Sequence, residues 1–386
     1  MRRTLMRIGG AVPALAVAHV LIVSATVQAS ADVSGASAPR AVVLQDDAQA
    51  PSGASLQETA LETTSTLSSQ GQDAAAVLQR QDRDAFELVG VTWEGAEDVE
   101  GMRVRTQVRQ DGEWSEWIDL EVDETGAEGD AAVRAGTDPV WVGESDGVSV
   151  RVDGLERLPE DLKVVTVDGG EDPVGGVGAQ EMSSTASAES TGPPRPSVIS
   201  RSSWGAGKGR TCDKPVHGKL RGVMIHHTAG SNSYAKSESA SIVRSMQSYH
   251  VRGQGWCDIG YNFLVDKYGQ IFEGRKGGWT RMVRGAHAGS TTLNRHLVGI
   301  SMMGNYDEAH TSRAQRNAVV RLVAWRLGSK DIPAKGRMNV GGHNLHRISM
   351  HRNVSATACP GKNGVNWVKN PGGLRDRAAK AIADAR

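Results

Sequence analysis

Near its C-terminus the chain reads MHRNVSATACPG, residues 350–361, which sets His351 eight residues before Cys359. Cys359 is one of three cysteines among 386 residues, and ten of the eleven histidines follow residue 200. A further pair, His226 and His227, ends the apolar run GVMIHH at 222–227. One histidine on a rigid strand, with a histidine and a cysteine from a folded-back loop, makes three soft or borderline ligands. Such a set suits tetrahedral zinc with its fourth position open to water. A zinc-bound thiolate is also occupied, because the metal holds it as the anion. Spacing alone leaves a second reading open. His-x7-Cys is no standard metal pattern, and adjacent histidines can simply be half-buried.

The elements that must hold these residues are legible around them. GVMIHH is a buried-strand pattern, and so is VGISMMG at 298–304. SESASIVRSMQSYH, 237–250, puts Ile242, Val243, Met246 and Tyr249 on one helical face. YNFLV, a turn at Asp266–Gly269 and QIFEG predict a β-hairpin. SRAQRNAVVRLVAWRLG, 312–328, predicts an amphipathic helix with Ala318, Val319, Leu322 and Val323 inward and Gly328 as its cap. Asn370 and Pro371 predict the start of a last helix. Strands mixed with long helices imply an α/β domain over 198–386.

Upstream the texture differs. Residues 83–168 hold short alternating runs such as FELVGVTWEG, MRVRTQVRQ and GVSVRVDG, which predict a small all-β, sandwich-like domain. Its Trp93, Trp114, Trp117 and Trp141 can form a carbohydrate-stacking surface, but period-2 patterning favours their filling and rimming the core. Residues 169–197 read as a Gly/Ser/Pro linker, and 32–82 as a low-complexity, mostly disordered stretch with a transient helix around Leu56–Leu67. Residues 1–31 have the layout of a secretory signal peptide: early arginines, an apolar run, and Ala29-Ser30-Ala31. The alternative is an uncleaved anchor, but the run is short for a span. The expected protein is secreted or cell-wall associated, with no stable membrane span after cleavage. With Cys359 on a metal, Cys212 and Cys257 remain for the one disulfide that an exported domain favours.

The formal net charge of zero conceals two opposed halves. Residues 1–200 carry 14 Lys+Arg against 34 Asp+Glu, and residues 201–386 carry 30 against 10. A basic half this marked points to an anionic partner. Export argues against nucleic acid and for an anionic wall polymer, unless the two halves neutralise each other.

VMIHHTAG, GWCDIGYNFLVDKYGQIFEGR, GAHAG, VGISMMGNY and HRNVSATACPG, in this order, resemble the peptidoglycan recognition protein family. That family belongs with the zinc-dependent N-acetylmuramoyl-L-alanine amidases. The likeness spans roughly residues 198–370, with SRSSWGA similar to the family's entry motif. The upstream β domain is loosely similar to one found ahead of such domains in exported actinobacterial proteins. The resemblance implies a central mixed β-sheet flanked by helices, with zinc at the bottom of a groove. It implies His226, His351 and Cys359 as metal ligands, and Tyr261 and Thr357 as residues that assist catalysis. His250, His287 and Asn294 match positions that touch the glycopeptide, although GAHAGSTTLNRHLVGI is longer than the usual loop. His343 and His346 compete with His351 only by proximity, and the family spacing to Cys359 selects His351. His217, His296 and His310 read as surface residues. The implied activity is zinc-dependent hydrolysis of the bond between N-acetylmuramic acid and L-alanine in peptidoglycan; with nothing in the sequence that suggests an obligate partner, the expected state is a monomer. The alternative is a binding module that recognises wall peptide without cutting it.

Overall fold

The structure is a computed structural model, and it describes residues 42–43, 53–68, 71–95, 99–123, 134–171, 192–209, 215–277, 279 and 281–386. The expected signal peptide lies outside the described residues. In the N-terminal region the strands Ser55–Ala60, Lys163–Asp168, Gly71–Glu94, Val140–Leu155 and Arg103–Gln110 lie side by side, each antiparallel to its neighbour. Arg103–Gln110 alternates as its sequence predicts, with Val104, Thr106 and Val108 buried. Register shifts along Gly71–Glu94 against Val140–Leu155 bend this long pair, as bulges do. Trp93 and Trp141 are core residues, while Trp114 and Trp117 rim the sheet.

Two sequence expectations are corrected here. The stretch 32–82 holds no helix at Leu56–Leu67: Ser55–Ala60 and Glu62–Ser68 are strands, so the sheet begins well before residue 83. Ser55–Ala60 is templated by the ladder to Lys163–Asp168, a non-local partner that a local reading cannot see. Nor is 169–197 a free linker throughout. Gly169 and Gly170 accept hydrogen bonds from the buried Arg244 guanidinium at 2.7 Å each. Residues 172–191 lie outside the described residues.

The C-terminal half carries a five-stranded sheet in the order Ile271–Glu273, Phe263–Val265, Leu297–Met302, Gly222–His227, Ile348–Met350. All neighbours are parallel except the predicted hairpin at the edge. Every residue of Gly222–His227 and Leu297–Met302 is buried, the condition of a parallel strand covered on both faces. Helices α1 (Ser239–Ser248), α2 (Thr291–His296), α3 (Arg313–Gly328), α4 (Lys362–Lys369) and α5 (Leu374–Asp384) complete the domain. The last begins at Leu374 with Gly373 as its cap, not at Pro371. The predicted inward face of α3 packs on Val223, Ile225, Ile300 and Met302. Helix α1 continues into a π-helical turn, Tyr249–Gly253.

Helix α1 is buried on two sides. Ile242, Val243, Met246 and Tyr249 share one apolar cluster with Leu264 and Phe272 of the C-terminal half and with Leu56, Leu88, Val165 and Val167 of the N-terminal sheet. Tyr249 is fully buried, and its hydroxyl lies 3.1 Å from Val91 O and 3.0 Å from Thr137 O. Glu87 Oε1 accepts from Ser241 and Ser245 of α1. Residues 40–386 accordingly form one compact unit.

Candidate functional site

Alternation along Gly222–His227 separates its two terminal histidines. Met224 and His226 face one side; Val223, Ile225 and His227 face the α3 side. His227 is packed near Tyr306 and accepts its backbone N–H at Nδ1, 3.2 Å. Ile225 pairs with Met350, so His226 and His351 follow at the carboxyl ends of adjacent parallel strands. Their ring centroids lie 4.7 Å apart. The loop after His351 then folds back. Cys359 N donates to Thr357 Oγ1 at 2.9 Å, and Cys359 Sγ accepts from His227 N at 3.3 Å. This brings Sγ to 3.8 Å from His226 Nδ1.

The ligand atoms of His226, His351 and Cys359 all lie within 4.8 Å of one another. Tetrahedral zinc with bonds of 2.0–2.3 Å needs ligand atoms roughly 3.3–3.7 Å apart, so the set fits after a small contraction. Hydrogen bonding selects the tautomer. Leu297 O can only accept, so Nε2 of His287 donates to it, at 3.3 Å. Nδ1 of neutral His287 then accepts from Nε2–H of His226, at 3.1 Å. The lone pair of His226 is thereby left on Nδ1, the atom that faces Cys359. This is the outer-shell arrangement that metal-binding histidines use.

Burial sets the charge states. It lowers His226 well below the ordinary histidine value, helped by the nearby His351 and His287. His287 is lowered to about 3 by burial and then by His351. Both rings are therefore neutral at pH 7, the form a metal ligand must have. Burial also raises the Cys359 thiol well above its ordinary value, and the Glu121 carboxylate adds to the shift. A thiolate at this position calls for a bound cation.

Tyr261 is nearly buried, with its ring 5.2 Å from that of His226. Thr357 is half-buried and engaged with Cys359 N. Three residues read from the resemblance as groove positions are buried. His250 is buried and stacks on Trp256 at 4.5 Å. His287 braces His226. Asn294 is buried and its Oδ1 accepts from His287 N and Ala288 N at 2.9 and 3.1 Å. Helix α2 in this loop turns Asn294 inward to hold the His287 backbone. His343 and His346 sit on the separate hairpin Arg337–Val340/His343–His346 and are not part of the ligand cluster. His217 and His310 are exposed, and His296 bonds Lys219 O. Cys359 is free and Cys257 is not; Cys212 lies outside the described residues.

Sequence reasoning missed one neighbour. Glu121, from the N-terminal sheet, accepts from Ala358 N at 2.8 Å, one residue before Cys359. Nothing local to EVDETG marks it, because its partner is 237 residues away.

The family profile described as N-acetylmuramoyl-L-alanine amidase matches residues 216–362. A second, described as Rv3811 N-terminal galactose-binding domain-like, matches residues 45–188. That span includes the early strands at 55–68. Peptidoglycan-recognition protein SC2 of Drosophila melanogaster is 37% identical over 172 residues, covering 45% of this chain and 84% of that protein. Peptidoglycan recognition protein 1 of Bos taurus is 36% identical over 165 residues, covering 43% of this chain and 78% of that protein. Among solved structures, wild-type Drosophila PGRP-LB aligns at 29% identity over 46% of this chain and 95% of that one, with a TM-score of 0.38. By this likeness in its C-terminal half, the chain belongs to the peptidoglycan recognition protein and type 2 N-acetylmuramoyl-L-alanine amidase family.

Proposed function

We propose that this protein is a zinc-dependent amidase of peptidoglycan, exported to the cell wall, which hydrolyses the amide between N-acetylmuramic acid and L-alanine. The observation that carries this reading is the convergence of His226, His351 and Cys359 within 4.8 Å, with His226 held neutral by burial and the Cys359 thiol buried. Zinc in such a set supplies a Lewis acid for a poorly electrophilic carbonyl and lowers the pKa of water toward neutrality. The chain's own residues do the rest. His287 fixes the His226 ring, and the Thr357 hydroxyl fixes the Cys359 backbone. Tyr261, whose ring lies 5.2 Å from that of His226, would donate a hydrogen bond to the oxyanion as it develops. Pairing of Cys257 with Cys212 is part of the same proposal and agrees with an oxidising location. So is the monomer, which acts on its polymer without a partner subunit.

The test is mass spectrometry of soluble products after incubating the full chain with peptidoglycan, with and without a zinc chelator. Peptides with a new L-alanine N-terminus, absent under chelation and absent for Cys359→Ser, are expected. Intact wall that retains the protein would replace the amidase with a recognition module.

A further inference from the structure

The two halves meet at the metal-ligand loops as well as along α1. In the N-terminal sheet, Val122 pairs with Thr137, and Asp138 N donates to Glu121 O at 2.8 Å, so Glu121 and Asp138 belong to one rung. This rung is tied to the C-terminal half on one side by Tyr249, whose hydroxyl contacts Thr137 O, and by Arg134 N donating to Gln254 O at 3.2 Å. On the other side, this rung and the neighbouring Trp141 reach the two loops that leave the ligand strands. Trp141 O accepts from Ser231 N at 2.8 Å, five residues after His226. Glu121 Oε1 accepts from Ala358 N at 2.8 Å, one residue before Cys359. Gly230 lets the first contact form: a Cβ there would lie 3.0 Å from Trp141 N and O.

A carboxylate on a backbone N–H makes a strong, directional bond. Placed next to Cys359, it restrains the peptide that carries the thiol, and groups of this outer kind tune metal affinity without touching the metal. We propose that the N-terminal sheet completes the metal centre, with Glu121 as a positioning residue that holds the Ala358–Cys359 backbone in its ligating conformation. The catalytic unit is then the two-domain body, and the N-terminal domain is more than a tethered wall anchor. This inference rests on the zinc reading above.

The experiment is competition titration of zinc against a chromophoric chelator, with the full chain and its variants. Cobalt(II) substitution is used alongside to read thiolate coordination by its charge-transfer absorption. Glu121→Ala is expected to weaken zinc about tenfold and to alter the cobalt band. Glu121→Gln, which keeps an acceptor for Ala358 N, is expected to restore both. Equal affinities and spectra for wild type and Glu121→Ala would overturn the proposal, as would a Gln variant as weak as the Ala variant. Cys359→Ser is the separate control. If it leaves zinc binding intact, the metal reading fails; if it abolishes binding while Glu121→Ala does not weaken it, only the positioning role fails.

Discussion

At the scale of the residue, the site depends on which atom each side chain presents. His226 and His227 are neighbours in sequence but face opposite sides of their strand, so only one joins the cluster. The chain His226–His287–Leu297 O then settles which nitrogen carries the lone pair. The Tyr261 hydroxyl is proposed to act only on charge that develops during reaction. Tyr261→Phe should therefore lower kcat by about 10²-fold and leave zinc affinity unchanged. Steady-state kinetics with a soluble muropeptide, paired with a zinc titration, reads both. A loss of zinc instead of turnover would move Tyr261 from chemistry to packing. His226, His351 and Cys359 were readable in advance from donor type and family spacing. The buried bracing roles of His287 and Asn294 were not, because each depends on α2, an element that the loop's length hinted at without showing its shape.

At the scale of the element, the sequence was most legible where one period ran without interruption. Gly222–His227 and α3 form as their apolar patterns predict, because each buries a continuous face against its own domain. The strand Ser55–Ala60 was illegible for the opposite reason: a polar stretch is held by main-chain pairing to the remote Lys163–Asp168. Charge at the sheet's surface also knits separate strands. Asp153 on Val140–Leu155 meets Arg103 and Arg105 across the ladder and Arg151 along its own strand, at 2.7–3.1 Å. Burial opposes ionisation of Asp153, but hydrogen bonds from Arg151 and Arg105 and the charge of Arg103 outweigh it and hold its pKa below the ordinary 3.8. A depressed carboxyl pKa gives stability that is complete above the unfolded value and is lost as pH falls through the folded one. Asp153→Asn should thus lower Tm at pH 7. The gap between variant and wild type should close as pH drops below about 4. A gap that stayed constant down to pH 2 would exclude this linkage.

At the scale of the whole molecule, an acidic N-terminal half and a basic C-terminal half share an apolar core around α1. Gly90 shows how close the contact is: a Cβ there would lie 2.4 Å from the Tyr249 ring, inside van der Waals distance. Gly90→Ala should cost about 1–3 kcal/mol through overpacking. Because the two halves share that core, thermal unfolding followed by calorimetry should show one transition, shifted as a unit by the variant. Two transitions, with only the first displaced, would show that the halves unfold independently.

The sequence by itself pointed to His226, His351 and Cys359 as a cluster, to the strands Gly222–His227 and Leu297–Met302, the edge hairpin, α1 and α3, and to the family, because these rest on local period, residue chemistry and ordered motifs. It could not determine the depth of His250, His287 and Asn294, the start of the N-terminal sheet, or the reach of Glu121 to Ala358. Those depend on segments far apart in the chain meeting in space, and only the tertiary structure decided them. Burial, hydrogen-bond partners and local field are properties of the assembled surfaces. A residue such as Glu121 acquires its place from a neighbour that no window of sequence contains.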